Sequence, residues 1–263
     1  MIELTGTAIT AALAGAAEIM DVYDNHDFQV QTKEDNSPLT IADLRAHNII
    51  KGHLKRTGIP ILSEEGATIP YEERKDWSRF WLVDPLDGTK EFIKGNGEFT
   101  VNIALIKKGI PVLGVVYAPV LQEIYYGDYE NGAFRAQHIS TAETPDTIAP
   151  RAEKLPLLQE RDTLNVVASK SHLNEETKNY IAQLEQTSNL PVKTVSIGSS
   201  LKLCLVALGE ADVYPRFGPT MEWDTAAGHA VVKAAGKRVL QVDRDEELIY
   251  NKENLLNPFF VVK

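Results

Sequence analysis

The sequence predicts an α/β (α+β) protein built from two sheet-containing lobes. Three observations carry that expectation. An Ala-rich helical period opens the chain, a meander of strands joined by short turns runs from FTVNIALI to AFRA, and beyond residue 163 strands alternate with helices. The expected division places residues 1–138 in the first lobe and 139–263 in the second.

Leu4, Ala8, Ala12, Ala16 and Met20 recur every fourth residue, with Ile9 and Leu13 beside them, which predicts a first amphipathic helix whose small residues allow close packing. Polar residues from Asp21 to Asp27 end it. Asn36-Ser37-Pro38 marks a turn, and Thr40 with Asp43 three residues later starts a second helix in the manner of a capping box, with Asp in place of the usual Glu or Gln. Ile59 to Leu62 reads as a short buried strand, residues 67 to 78 as charged and irregular, and Arg79 to Val83 as the next strand. FTVNIALI alternates with period two, as a half-buried strand does. Lys108-Gly109 turns the chain into VLGVVYAP, and Asn131-Gly132 predicts a type I′ hairpin between EIYYGDY and AFRA. Residues 139–163, rich in Thr, Glu, Pro and Asp, read as the connection between lobes or a surface loop. LNVVAS, a helix near Glu175 to Gln186, VKTVS, SSLKLCLVAL, ADVYP, a helix from Asp224 to Ala235, and NPFFVVK then give the strand–helix alternation of the second lobe. No Walker A loop or GxGxxG follows any strand.

The chain of 263 residues is long enough for a sizeable core. Its net charge of −10 argues against a groove that tracks a nucleic acid polymer and against broad attachment to acidic lipid. A small anionic substrate stays compatible, because bound cations reverse the local sign. The single cysteine, Cys204, forms no internal disulfide and sits in an apolar helical pattern, where it reads as a small core side chain. AITAALAGAA lacks the basic flank of a signal sequence and is too short a run to span a bilayer. With no transmembrane segment elsewhere, a soluble cytoplasmic protein is expected.

The chemistry centres on WLVDPLDGT, residues 81–89. A buried strand runs into an abrupt turn with two carboxylates, then a glycine and a hydroxyl. Such acidic turns are often merely solvated. Yet Asp84 and Asp87 offer hard oxygen ligands for a divalent cation, and Gly88, lacking a Cβ, lets backbone N–H groups approach an anion. Ser63-Glu64-Glu65-Gly66 is a second apolar strand ending in acids, so two strands at one sheet edge bring Glu64 near Asp84 and Asp87. Asp224 precedes an Ala-rich helix and is either a simple N-cap or a fourth carboxylate supplied by the second lobe. Four acids meeting in one pocket repel strongly unless a divalent metal resolves the repulsion.

EE after a strand, DPLDGT, and WDTAAGHA near the C-terminus together resemble the signature of the inositol monophosphatase-like, metal-dependent, lithium-sensitive phosphatases. Longer blocks (DNSPLTIAD, LSEEG, WLVDPLDGTKEFIKGNGEFTVNIALI, GVVYAPV, SIGSSLKLCLVALGEADVYPRFGPT and WDTAAGHAV) are similar to the branch that acts on 3′(2′),5′-bisphosphate nucleotides, and they cover almost the whole chain. The resemblance implies a layered αβαβα fold. It also implies Mg²⁺ held by Glu64, Asp84, the Leu86 carbonyl, Asp87 and Asp224, with Asp43, Glu64 and Thr89 as catalytic residues. Thr89 would orient or deprotonate water and Asp43 would accept from Thr89.

By the same resemblance the transferred phosphoryl group meets Glu64, Leu86, Asp87, Gly88, Thr89 and Asp224. The implied substrate is a small nucleotide bisphosphate, 3′-phosphoadenosine 5′-phosphate, with its sulfated analogue second. Ser169, Lys170, Ser171 and His172 end a strand where they could meet the nucleotide. Lys202 and Arg216 are placed to neutralise its second phosphate, or else are solvated surface residues. Arg216 disfavours a neutral polyol and suits a second anion. His229 reads as structural. The alternatives are an inositol or sugar phosphatase of the same superfamily and a nucleotide sensor without turnover. The resemblance also implies peripheral association with the inner membrane, for which no stretch of sequence supplies a feature.

Overall fold

The computed structural model of the chain describes residues 1–25, 28–32, 38–66, 68–157, 160–168 and 174–263. Helix α1 (Ile2–Asn25) follows the four-residue period, burying Ala8, Ala12, Leu13, Ala16 and Ile19. The whole helix is long and apolar enough to cross a membrane, unlike the Ala-rich run alone, but half of its most apolar window is buried inside this fold. Two short strands, β1 (Gln31–Thr32) and β2 (Pro38–Leu39), pair antiparallel. The turn expected at Asn36-Ser37 lies outside the described residues. Helix α2 (Ile41–Lys55) starts at Thr40 as predicted: the Thr40 amide donates to Asp43 Oδ2 at 2.7 Å and the Ala42 amide to Thr40 Oγ1 at 3.2 Å. A cap of this kind contributes about 1 kcal/mol. The two helices approach at Gly15, where a Cβ would lie 2.7 Å from Ile50.

The main sheet takes β3 (Ile61–Ser63), β4 (Arg79–Asp87), β5 (Thr100–Lys107), β6 (Ile110–Ala118), β7 (Glu123–Asp128), β8 (Gly132–Ala136) and β9 (Glu153–Lys154), in that spatial order. Strands β3 and β4 are parallel and the remaining neighbours antiparallel. Helices α3 (Tyr71–Arg74) and α4 (Thr89–Lys94) flank β4; α5 (Pro145–Ile148) and a 3₁₀ turn (Ala149–Arg151) precede β9. The second part comprises β10 (Leu164–Ala168), α6 (Glu175–Thr187), β11 (Val192–Ser196), α7 (Leu201–Leu208), β12 (Tyr214–Arg216), α8 (Glu222–Ala234), β13 (Val239–Gln241) and β14 (Phe260–Val262). Strands β10 and β11 pair parallel, β12-β14-β13 antiparallel. Among the described residues, a bridge between Val166 and Val213 joins the two groups.

Five layers result: α1 and α2, the main sheet, α7 and α8, the smaller sheets, and α6. Three apolar clusters lie between them. Val101, Ile103 and Leu105 of β5 face α1 and α2; Ala104 and Ile106 face α7 and α8. The third cluster, Val166, Val213 and Val261, meets Tyr180, Ile181 and Leu184 of α6. The predicted layered αβαβα arrangement is therefore what the chain adopts.

Several sequence expectations give way to tertiary context. Strand β5 is buried on both faces up to Ala104–Ile106, not half-buried, because helices cover both sides of the sheet. The β7–β8 hairpin pairs Asp128 with Gly132 and so has a three-residue loop in place of a two-residue type I′ turn. Asp128 Oδ1 accepts from the Glu130 and Asn131 amides, and Gly132 alone takes the positive φ, 92°. The carboxylate thereby substitutes for the second left-handed residue of the expected turn. Residues 139–163 also contribute to the first sheet, through β9 pairing with β8, since a two-residue edge strand leaves no periodic signal. The irregular stretch 67–78 contains α3, whose Arg74 is buried.

The middle layer depends on close contact at Gly114 of β6. A Cβ there would lie 2.1 Å from the Ala227 carbonyl oxygen and 2.8 Å from Ala230 Cβ of α8. Gly114→Ala is expected to lower the unfolding free energy by about 3 kcal/mol or more, since a packed helix must move off the sheet. Urea denaturation of the variant beside the wild type measures this, and an unchanged midpoint would remove the contact from the account.

Candidate active site

The parallel register pairs Ile61 with Trp81 and Ser63 with Val83, so both acid-ended strands stop at the same edge. Glu64 follows at once, its amide donating to the Val83 carbonyl at 3.1 Å. The expected turn after Val83 is instead an irregular continuation of β4. Its register with β5 shifts between Asp84 and Asp87, with Asp84 opposite Asn102 and Asp87 opposite Thr100. The strand bulges because Pro85 has no amide to give to the ladder and Asp84 Oδ1 accepts the Leu86 amide at 3.0 Å. Gly88 then turns at φ 94°, where a Cβ would press 3.2 Å from the Glu98 carbonyl oxygen. Both constraints call for glycine.

Asp224 arrives from the opposite layer. It sits in the first turn of α8, not at the N-cap, and its Oδ2 accepts the Met221 amide at 2.9 Å. Glu64, Asp84 and Asp224 each offer an oxygen within 4.8 Å of the others. Asp87 stands beside this trio, with its Oδ2 accepting from the Ser200 amide at 2.7 Å and, at 3.4 Å, from Asn102 Nδ2. Ser200 Oγ lies 2.8 Å from Asp87 Oδ2 and 2.7 Å from the Asp224 carbonyl, so its one proton serves one of the two. Asn102 Nδ2 donates to Ser200 Oγ at 2.9 Å. Ser200 and Asn102 thus tie the β4 acids to α8, and sequence reading missed both. Ser200 reads only as part of the helix SSLKLCLVAL and Asn102 only as one position of the alternating strand FTVNIALI.

The trio's electrostatics follow from geometry. Burial raises the Asp84 carboxyl well above its ordinary range, and the negative charges of Glu64, Asp87 and Asp224 raise it further. Asp224 is raised by burial and then by Asp87, against the stabilising Met221 amide. A donor set made only of oxygens, with carboxylates that resist ionising together, fits a hard divalent cation.

Asp43 is placed to do two jobs. Its Oδ2 accepts the Thr40 amide and hydroxyl, while its Oδ1 lies 3.4 Å from Thr89 Oγ1. Thr89 Oγ1 is also 3.3 Å from the Leu86 carbonyl oxygen. A cavity of about 360 Å³ opens from Asp87, Gly88 and Asp224 toward Lys202, Tyr214 and Arg216. Lys202 is not a solvated surface residue, and Arg216 is half-buried. Lys202 is buried, donates to the Ser199 carbonyl at 2.6 Å, and lies 5.8 Å from the Tyr214 ring centre. Burial, partly offset by Asp87, brings its ammonium down to about 8. Arg216 donates from Nη2 to the Pro219 carbonyl, while its buried Nε has no partner. His229 has its Nδ1 2.9 Å from the Tyr250 hydroxyl and its Nε2 3.9 Å from Glu247 Oε1. Ser169, Lys170, Ser171 and His172 lie outside the described residues.

A layered αβαβα fold with acids from two parallel strand ends and one opposing helix defines a class of protein. The chain belongs to the inositol monophosphatase family, whose profile matches residues 1–258. Within that class it is 49% identical over 248 residues to the 3′(2′),5′-bisphosphate nucleotidase CysQ of Salmonella typhimurium, covering 93% of each chain. The solved structure of CysQ from Bacteroides thetaiotaomicron, a bacterial member of the family, superposes with a TM-score of 0.92 at 50% identity, over 99% of this chain and 97% of that one. An IMPase from Thermotoga maritima shares the fold, with a TM-score of 0.75 at 22% identity over 100% of this chain and 92% of that one.

The raised carboxyls set a pH dependence. The native state holds more protons than the unfolded chain between the ordinary carboxylate range and the raised values of Asp84 and Asp224, so cation-free stability falls as pH climbs through that window. A divalent cation takes the place of those protons. Mg²⁺ is therefore expected to raise the melting temperature more at about pH 8 than at about pH 5. Asp84→Asn should raise the cation-free melting temperature at the higher pH and erase the Mg²⁺ increment. Scanning calorimetry at both pH values checks this; an increment independent of pH would contradict it.

Proposed function

We propose that the protein is a Mg²⁺-dependent phosphomonoesterase that hydrolyses the 3′-phosphate of adenosine 3′,5′-bisphosphate to AMP and phosphate, with the sulfated analogue as a second substrate. The observation that carries this reading is one cavity lined both by Asp87 and Asp224 of the acid cluster and by the cations Lys202 and Arg216. A substrate with two anions can place one at the acid cluster, through a cation, and the other at these side chains. The cavity's size lies at the small end of the usual range for small-molecule sites.

Glu64, Asp84, Asp87, Asp224 and the Leu86 carbonyl are the groups that would hold Mg²⁺. Bound there, the cation supplies positive charge to phosphate oxygens and acidifies water. The protein's own groups do the rest. The Gly88 and Thr89 amides, at the left-handed entry to α4, face the scissile phosphoryl group. Thr89 Oγ1 takes a proton from the attacking water and directs its own toward Asp43 Oδ1. Asp43 is held for this by the Thr40 cap on its other oxygen. Glu64 accepts from the same water. The water oxygen bonds to phosphorus as the bond to the 3′ oxygen breaks in line, and the leaving oxygen takes up a proton from solvent water. No phosphoenzyme forms, and configuration at phosphorus inverts.

Lys202, charged below about pH 8, and Arg216 neutralise the 5′ anion. Ser169 and His172 enter this reading as nucleotide contacts from their place at the end of a strand in the sequence. The cytoplasm is the proposed location, in keeping with the buried, unpaired Cys204 thiol. Among the described residues no feature marks a peripheral membrane contact.

Phosphate release with Mg²⁺ from adenosine 3′,5′-bisphosphate, its sulfated analogue, inositol 1-phosphate and fructose 1,6-bisphosphate tests the substrate class. Strong preference for the adenosine compounds is expected, with Asp87→Asn inactive. Preference for inositol or fructose phosphate would leave a phosphatase of another substrate class, and silence on all four would leave a binding protein. Thr89→Ala should lower kcat by about 10²- to 10⁴-fold while calorimetry still shows Mg²⁺ binding. Loss of binding in parallel with kcat would make Thr89 a structural residue instead.

A further inference from the structure

The distance between the halves of the acid cluster has to be set by something other than the acids, which push apart. The start of α8, two residues before Asp224, carries Glu222, whose side chain is fully buried. Its carboxylate accepts the Asn251 amide at 2.7 Å, the Lys252 amide at 3.0 Å and Lys252 Nζ at 2.6 Å. The same turn is gripped from the other side by Arg74, the last residue of α3, on the segment that leads away from Glu64. Arg74 Nη1 donates to Asn251 Oδ1 at 2.9 Å and to the Lys252 carbonyl at 2.7 Å, and Nη2 to the Glu253 carbonyl at 2.9 Å. Asn251 Nδ2 returns a bond to the Arg74 carbonyl at 2.7 Å.

Asn251 is the hub. Its amide serves Glu222 while both ends of its side chain serve Arg74, and it accomplishes this at φ 73°, a left-handed conformation uncommon outside glycine. Arg74 is 3% exposed, and among the described residues it has no carboxylate partner and leaves its Nε buried without an acceptor. A core that needed only stability would be better served by an apolar side chain than by such a guanidinium. What the charge does here is converge three acceptors of one turn and lock that turn against α8.

We propose that Arg74, Asn251 and Glu222 form a brace that fixes the spacing between the Glu64 and Asp224 sides of the cation site, making them positioning residues for divalent cation binding. The inference rests on the metal-site reading above. The brace acts across the joint between the two sheet-bearing parts of the molecule, where the β3–β4 ladder cannot reach.

Asn251→Gly tests it, because glycine accepts the left-handed backbone and keeps the amide bond to Glu222 while removing both bonds to Arg74. Asn251→Asp restores an acceptor for the guanidinium. Mg²⁺ binding is measured by isothermal titration calorimetry on the cation-free protein, with no substrate present, and melting temperatures are taken alongside. Ile181→Ala, in the outer core, serves as a control for general loss of stability. The expected result is a Mg²⁺ Kd about 10-fold or more weaker in Asn251→Gly, close to wild type in Asn251→Asp, and unchanged in Ile181→Ala. The activity of Asn251→Gly should recover at saturating Mg²⁺. An unchanged Kd in Asn251→Gly, or an equal loss in Ile181→Ala, overturns the proposal. Wild-type protein that binds no Mg²⁺ would overturn the metal-site reading itself, an outcome distinct from either.

Discussion

Mutual repulsion of carboxylates is the constraint on which the rest of this structure depends. Glu64 and Asp84 come from neighbouring parallel strands and Asp224 from a helix in another layer, yet their oxygens lie within 4.8 Å of one another. Nothing about folding favours that arrangement. Burial and like charge raise Asp84 and Asp224 well above the ordinary carboxylate range, so the cluster opposes folding at neutral pH until a cation relieves it. The surrounding architecture reads as the apparatus that holds the acids in place despite this.

Two features of that apparatus stand out physically. The first is the tight middle layer. Helix α8 lies against β6 at Gly114 and against α7 where Gly228 meets Leu203, 2.8 Å from where a Cβ would be. Small residues let the helix come close enough to project Asp224 onto the strand ends. The second is a set of neutral hydrogen bonds around the acids. Ser200 and Asn102 hold Asp87, Thr40 holds Asp43, and the Met221 amide holds Asp224. Neutral donors orient a carboxylate without cancelling the charge needed for a cation.

The cavity carries both signs: Asp87, Glu91, Glu98 and Asp224 line it beside Lys94, Lys202 and Arg216. In a chain of net charge −10 these cations are a local feature. Lys202 is already bound to backbone carbonyls, so its charge contributes mainly through the field it adds to the cavity.

The sequence by itself determined the longer helices and strands, the meander, the acids at two strand ends and Asp224, since each depends on neighbours within a few positions; α3 and the two-residue edge strand β9 left no such signal. Periodicity, capping at Thr40 and glycine at position 88 are local physics. Tertiary structure alone decided the rest. It turned the expected turn at Asp84 into a bulge of a nine-residue strand, buried β5 on both faces, and gave the β7–β8 loop an aspartate in place of a second left-handed residue. It also brought Ser200, Asn102, Arg74 and Asn251 to the site's support. Those four carry no periodic or spacing signal, because their partners lie far away along the chain: Asn102 is bound to Ser200 and Arg74 to Asn251. A hydrogen bond between distant segments exists only once the layers have packed, and local sequence holds no record of it.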